Sequence, residues 1–162
     1  AKQLTNGAVP MGAVVASGEI YHTFMEAGGP DYLLEFPHGY TYSAHPVACA
    51  AAMAALDILV EEALPQRVVE LAPYFEGALH QLKGAPHVSD IRNFGFAGAL
   101  HMDPFPGEPE RRPFDVALRM WEKGFYVRCG ADTVQLGLPF VIETGQIDSL
   151  VGALGETLAE LA

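Results

Sequence analysis

Hydrophobic residues recur at helical spacing in two stretches of the C-terminal half of the chain. Behind Thr144, a suitable N-cap residue, a first set predicts an amphipathic closing helix: Ile147, Leu150, Val151, Leu154, Leu158 and Leu161. A second set predicts a helix over about residues 65–83, ended by Gly84: Val68, Leu71, Phe75, Leu79 and Leu82. Both helices therefore present one apolar face to a core.

Residues 46–62 differ, because they are apolar nearly all round. This composition predicts a helix that is buried on several sides, between domains or between subunits. Ser43 lies just ahead of it and is a candidate cap.

Short-period patterns with glycines predict strands in the second half of the chain. The stretch "VSDIRNFGFAGALHM" predicts strands between Val88 and Met102, and "FYVRCG" and "TVQLGLPFV" predict two more. A helix from Phe114 that stops at Gly124 lies between them, after a proline-rich loop, and the opening "AVPMGAVVA" predicts an earlier strand. The last hundred residues therefore alternate strands and helices as an α+β or α/β domain does, whereas residues 1 to about 60 have the pattern of the end of a different domain. We place the boundary near Leu64 and Pro65, which gives domains of residues 1–64 and 65–162.

The amino-acid composition and net charge disfavour some classes of binding partner. The chain has 162 residues, half of them hydrophobic, and a formal charge of −11 with nine Lys and Arg residues. Nucleic acid and anionic membrane are disfavoured as partners, because binding phosphate needs clustered positive charge. Cys49 and Cys129 predict neither a disulfide framework nor a zinc site, and no apolar run has the length of a membrane span. We therefore expect a cytoplasmic protein that binds small molecules or proteins.

Lys2 is the first candidate for chemistry. A primary amine on a rigid turn at a strand edge can form a Schiff base with an aldehyde, when its surroundings lower its pKa. The alternative is a solvated surface lysine, which is the usual fate of lysine side chains. Lys2 alone does not decide between the two.

The stretch "FPHGYTYSAHPVACAAA" is the second candidate. Hydroxyl residues lead into the N-terminus of an apolar helix, where free backbone N–H groups and the helix dipole favour an anion such as phosphate. The hydroxyl donors are Thr41, Tyr42 and Ser43, and the alternative is ordinary capping by Ser43. His38 and His45 are too far apart for a typical metal site, so we predict no metal.

Arg128 is the third candidate. We predict that it ends a strand and faces a turn with Asp132 and Thr133, where its guanidinium could bind a carboxylate through two hydrogen bonds. The alternative is an ordinary ion pair with Asp132 or another acid. Arg92 is a rival arginine, for which we predict a structural role near the inner surface of the domain.

The order and spacing of these stretches resemble one family along the whole chain. The stretches "AKQLTNGAVPMGAV", "EFPHGYTYSAHPVACAA", "DIRNFGFAGAL" and "GFYVRCGADTVQLG" are similar to the C-terminal part of class III aminotransferases that use pyridoxal 5'-phosphate (PLP), above all those acting on ω-amino acids such as β-alanine with pyruvate. The resemblance implies the fold-type I architecture, with residues 1–64 as the end of the large PLP-binding domain and residues 65–162 as the small α/β domain.

The resemblance also implies roles for individual residues. Lys2 matches the family's Schiff-base lysine, which holds the cofactor and later moves the substrate proton. Thr41, with the backbone at Tyr40, matches the contact to the cofactor phosphate of the partner subunit. Arg128 matches the mobile arginine that binds a substrate carboxylate and swings away from an apolar substrate. Ala131 departs from the glycine usual in close relatives, which leaves substrate preference open.

The resemblance implies a homodimer, or a tetramer of dimers, with a shared active site. It also implies further sequence ahead of Lys2, which in the family carries the aspartate for the pyridinium nitrogen and the glycine-rich phosphate loop. Two alternatives remain at this point. One is another class III activity, on 4-aminobutyrate or a diamine, and the other is a non-catalytic fragment that serves only in dimer contact or binding.

Overall fold

The computed structural model describes residues 4–27, 29–30, 32 and 39–161. The chain divides into two compact units, Ala1–Glu62 and Ala63–Ala162. The division lies two residues from the predicted domain boundary. Within the described part of the chain, no helix combines the length and the apolar character that crossing a bilayer requires.

The first unit contains two helices, α1 (Gly18–Ala27) and α2 (Pro46–Glu61). Helix α1 was not predicted, and none of its residues is buried. The strand predicted over residues 8–16 is wrong, since residues 10–17 have no regular structure. Val14 and Val15 are each 96% exposed there, so no sheet partner covers them.

Helix α2 confirms the predicted helix but not its burial. In α2 only Ala48 and Ala52 are buried. The large apolar side chains exposed along the helix are Val47, Met53, Leu56, Ile58 and Val60. Ser43 as the cap is wrong: the N-cap is His45, which makes no side-chain cap bond, and Pro46 begins the helix. Proline suits this first position, because its missing N–H would have no partner inside the helix.

The second unit is a four-stranded sheet with three helices. Its elements are α3 (Leu64–His80), β1 (Val88–Phe94), β2 (Ala97–Met102), α4 (Arg111–Glu122), β3 (Arg128–Gly130), β4 (Thr133–Gly137) and α5 (Thr144–Ala159). The strands are antiparallel in the order β1-β2-β4-β3. These elements confirm the strands and helices predicted between residues 65 and 162, with α4 starting three residues earlier.

The helices cover one face of this sheet. On β2 and β4 the residues alternate strictly, and the buried ones are Gly98, Leu100, Met102, Val134 and Leu136. Together with the predicted apolar stripes of α3 and α5, and with Val116 and Met120 of α4, they form one hydrophobic core. The residues between them, such as Ala99 and Gln135, lie on the opposite face, which none of the three helices of this unit covers.

Helix α5 closes the unit. Its N-cap is Glu143 rather than the predicted Thr144, because the Glu143 N–H donates to Oε1 of Gln146 at 3.0 Å. The Lys123 ammonium, just after α4, donates to Glu160 at 2.8 Å and to Glu156 at 3.3 Å. The hydrogen bond to Glu160 raises the pKa of Lys123, and the same bond lowers the pKa of Glu160. These contacts join α4 to α5.

Candidate active site

Lys2 lies outside the described residues, so the structure assigns its side chain no position. The turn that follows it is described. Thr5 is buried; its hydroxyl donates to the Val9 carbonyl and accepts the Val9 N–H at 3.4 Å. Asn6 and Gly7 both have positive φ, and the Ala8 N–H donates to the Thr5 carbonyl at 3.0 Å. A buried threonine therefore fixes the turn that begins three residues after Lys2.

Tyr40 and Thr41 lie together in the turn that leads into α2. The Tyr40 N–H donates to Oγ of Ser43 at 3.0 Å, and the Ser43 N–H donates to the Tyr40 carbonyl at 2.9 Å. The His45 N–H donates to the Tyr42 carbonyl at 3.2 Å, which forms a second turn with Ala44 at a φ of +56°. Ser43 thus closes the turn instead of capping the helix.

Thr41 is exposed at the tip of this turn. Neither its hydroxyl nor its N–H forms a hydrogen bond with another described residue. A hydroxyl and an amide donor that are free and turned to solvent, next to a helix N-terminus, fit a phosphate group. Among the residues that the structure describes, the turn therefore offers what the predicted contact with a cofactor phosphate requires.

Arg128 lies in the second unit, at the start of β3. The prediction that it ends a strand is wrong: Arg128 is the first residue of β3, and residues 131 and 132 form the turn into β4. The ion pair with Asp132 considered as an alternative is also absent, because Asp132 lies 3.3 Å from Nδ1 of His101. The Arg128 side chain is exposed and forms no hydrogen bond or ion pair with any described residue.

The register places Arg128 on the uncovered face of the sheet. Arg128 is paired with Gln135 of β4, which is paired in turn with Ala99 of β2. Arg92 of β1 continues this row, since it is paired with Ala99. The predicted inner position of Arg92 is wrong: its side chain is 68% exposed and lies 3.3 Å from the carboxylate of Asp90.

The uncovered face of the sheet is polar on β3 and β4, whereas β1 presents Phe94, which is paired with Ala97 and 90% exposed. The residues that it presents on β4 and at the start of β3 are Thr133, Gln135 and Arg128, and the small residues Ala97, Ala99 and Gly137 leave space beside them. A free guanidinium on such a face can bind a carboxylate. Across the described residues, no group of three or more histidine, cysteine, aspartate or glutamate side chains could hold a metal ion.

The sequence of residues 1–158 matches the family model of class III aminotransferases. The chain belongs to this family. It is 56% identical over its full length to the beta-alanine–pyruvate aminotransferase of Pseudomonas aeruginosa, and 57% identical over 161 residues to the omega-amino acid–pyruvate aminotransferase of Pseudomonas putida. The chain spans 36% of the length of each of these relatives.

Solved structures of an aminotransferase and of an omega-transaminase share the fold. The PMP-bound form of an aminotransferase from Vibrio fluvialis superposes with a TM-score of 0.86 at 32% identity, over 99% of this chain and 36% of the other. An (S)-enantioselective omega-transaminase from Thermomicrobium roseum gives a TM-score of 0.84 at 29% identity, over 98% of this chain and 36% of the other. The predicted fold, the C-terminal part of the fold-type I architecture, is confirmed.

Two features of the site region escaped the sequence analysis. Thr5 was passed over because a threonine in a polar stretch resembles any turn residue, and only the structure shows it to be buried. Gln135 was passed over because its position opposite Arg128 depends on the register of two strands. The alternation of β4 was available as a signal, since it predicts that Gln135 and Thr133 share a face.

Proposed function

We propose that this chain is the C-terminal part of a PLP-dependent aminotransferase that transfers the amino group of an ω-amino acid or amine, such as β-alanine, to pyruvate. The observation that carries the proposal is the identity of 56% and 57% to two pyruvate aminotransferases along the whole chain. Relatives with other donors are less similar, at 35% for a putrescine–pyruvate aminotransferase and 32% for a gamma-aminobutyrate transaminase. These two activities are the second candidates.

The domain assignment is part of the proposal. We assign residues 1–64 to the end of the large PLP-binding domain and residues 65–162 to the small α/β domain. The division of the chain into units at Glu62 and Ala63 supports this assignment. The free donors of Thr41 support a contact with a cofactor phosphate, which we assign to the partner subunit of a homodimer or of a tetramer of dimers.

In this proposal each candidate residue of the chain has a distinct role in the reaction. PLP, when bound, supplies the electron sink for the substrate carbanion. Lys2 holds the cofactor through its amine, and once released it moves a proton at the substrate carbon as a general base. Thr41, with the backbone at Tyr40, holds the phosphate, and Arg128 binds the substrate carboxylate. Because Arg128 is exposed and unpaired among the described residues, it can also turn away from an apolar group.

The first test is borohydride reduction of the purified enzyme that contains this chain, followed by peptide mapping. Borohydride makes a Schiff base permanent, so the proposal expects a pyridoxyl group on the peptide "AKQLTNG", attached to Lys2. The Lys2→Ala variant is the control and should carry no label. An unlabelled Lys2 in the presence of added PLP would instead favour the non-catalytic alternative.

The second test concerns Arg128 and substrate choice. Arg128→Ala should lower kcat/KM for β-alanine by roughly 100-fold, because a charged hydrogen bond to a carboxylate contributes about 1.5–3 kcal/mol. The donor 1-phenylethylamine, which has no carboxylate, should lose little. Arg92→Ala is the matched control, since Arg92 lies on the same face of the sheet but is paired with Asp90. Equal losses for both donors would contradict the role of Arg128.

A further inference from the structure

The sheet register gives Arg128 one polar neighbour. Strand β3 is the edge strand of the described sheet, and its neighbour in that sheet is β4. Gln135 is directly opposite Arg128, and in such an antiparallel pair the Cβ atoms lie about 5 Å apart. The diagonal neighbours offer little: Gly137 has no side chain, and the Thr133 hydroxyl donates to the Gly130 carbonyl at 2.9 Å.

The hydrogen bonds of Thr133 fix the orientation of the Gln135 amide. A hydroxyl has one proton, and Thr133 gives its proton to the Gly130 carbonyl, which only accepts. Thr133 Oγ1 must therefore accept from Gln135, and Nε2 of Gln135 lies 3.2 Å away. The amide group of Gln135 is thus turned toward Thr133, and Oε1 is left as a free acceptor that forms no hydrogen bond with any described residue.

Gly130 leaves the space that this arrangement needs. A Cβ atom on Gly130 would lie 3.3 Å from Nε2 of Gln135, closer than most such contacts. The backbone of β3 thus approaches the amide closely. In the hairpin of β3 and β4, Thr133 thus holds the Gln135 amide beside the bare backbone of Gly130.

We propose that Gln135 is a positioning residue for Arg128, and that its Oε1 receives the Arg128 guanidinium when an apolar substrate group turns Arg128 away from the substrate. The inference rests on the proposed function and names the group that sets substrate choice. Arginine only donates hydrogen bonds, and Oε1 of Gln135 only accepts them, so the two are complementary. Because Gln135 is neutral, its bond is weaker than an ion pair, and a substrate carboxylate can displace it.

Because Gln135 is neutral, a change of charge at this position should change how Arg128 meets the substrate. In Gln135→Glu, the carboxylate would hold Arg128 as an ion pair and compete with the substrate. In Gln135→Met, the new side chain has a similar length but no hydrogen-bond acceptor, so Arg128 is held away from the substrate less well. An apolar donor then meets the charged guanidinium of Arg128. The two variants should therefore shift substrate preference in opposite directions, which a merely structural role of Gln135 would not do.

The experiment measures KM and kcat of the cofactor-loaded enzyme for β-alanine and for 1-phenylethylamine. The quantity compared is the KM for β-alanine divided by the KM for 1-phenylethylamine. Gln135→Glu should raise this ratio on the order of tenfold, and Gln135→Met should lower it about threefold, as expected for one hydrogen bond. The kcat values should change less. Thr133→Val frees the amide and should follow Gln135→Met, while Ser89→Ala, which removes a hydroxyl bonded to the His101 carbonyl, should leave the ratio unchanged.

Binding of propionate, a carboxylate that lacks an amine, provides a second measurement by calorimetry. Gln135→Glu should weaken its binding, and Gln135→Met should leave it equal or tighter. Shifts of the two variants in the same direction, or no shift in either, would overturn the role of Gln135. If the unaltered enzyme transaminates neither donor, the proposed function is wrong, and propionate binding alone then decides whether Gln135 positions Arg128.

Discussion

At the scale of single residues, the turn between β3 and β4 is strained. Ala131 has a φ of +49°, in the left-handed region that glycine adopts without cost. A side chain with a Cβ loses about 1 kcal/mol in this conformation. Ala131 follows Gly130, whose backbone packs against Gln135, and it precedes Asp132, whose carbonyl accepts the Met102 N–H at 2.8 Å. The neighbours therefore hold the turn in a shape that suits glycine.

We predict that Ala131→Gly stabilises the protein by about 0.5–1 kcal/mol, because relief of the strained φ exceeds the added entropy of the unfolded chain. The midpoint of urea unfolding measures the effect. Ala159→Gly is the control, since Ala159 is exposed at the end of α5 and has helical φ, and this change should destabilise. A lower midpoint for Ala131→Gly would show that the turn is not strained.

At the scale of elements, β2 and α3 approach each other closely at Gly98. Gly98 of β2 is buried under α3, where a Cβ atom would lie 2.8 Å from Leu79 and 2.9 Å from Phe75. Both of these side chains are fully buried in the core. The absence of a side chain at Gly98 therefore lets the helix approach the sheet.

Gly98→Ala should destabilise the protein by about 1–3 kcal/mol, because the core is fully packed and either the helix or the two side chains must move. Gly137→Ala on the neighbouring strand is the matched control. A Cβ atom there meets nothing within 4 Å, so its effect should be small. Thermal unfolding of both variants distinguishes them, and equal melting temperatures would mean that the contact is loose.

The elements of the second unit were predictable from sequence because they bury their apolar faces within this chain. The stripes of α3 and α5 and the alternation of β2 and β4 all point into one core. Helix ends were less predictable. The N-cap of α5 is Glu143 and not the predicted Thr144, and the N-cap of α2 is His45 and not the predicted Ser43. A cap depends on which donors the preceding turn has already used, and hydrophobic periodicity carries no such information.

The sequence motifs predict which residues form the candidate site, but they do not predict the neighbours of those residues. The family motifs assign Lys2, Thr41 and Arg128, and these assignments stay predictions. The surroundings of Arg128 required the register, because the sequence suggested Asp132 as its partner while the structure pairs Asp132 with His101. Gln135 is seven residues from Arg128 in the chain, and only the hairpin brings the two side by side.

At the scale of the whole molecule, the two units differ in how they cover their apolar residues. The second unit has a continuous core, whereas the first leaves a stripe of α2 exposed, formed by Met53, Leu56 and Val60. These three lie at i, i+3 and i+7, on one face of the helix. The buried residues of α2, Ala48 and Ala52, lie in the N-terminal half of the helix. An exposed apolar stripe of this kind marks a surface for another polypeptide.

This stripe leads to the last prediction, that the 162-residue chain expressed by itself associates through α2. Burial of apolar surface drives association, so sedimentation velocity should show oligomers, and Met53→Lys with Val60→Lys should shift them toward monomer. The control pair is Val69→Lys with Leu118→Lys, which alters exposed apolar residues on two separate helices, α3 and α4. Because scattered apolar residues give no continuous contact, this pair should change little. A monomeric unaltered chain, or an equal effect of both pairs, would show that the stripe is not the associating surface.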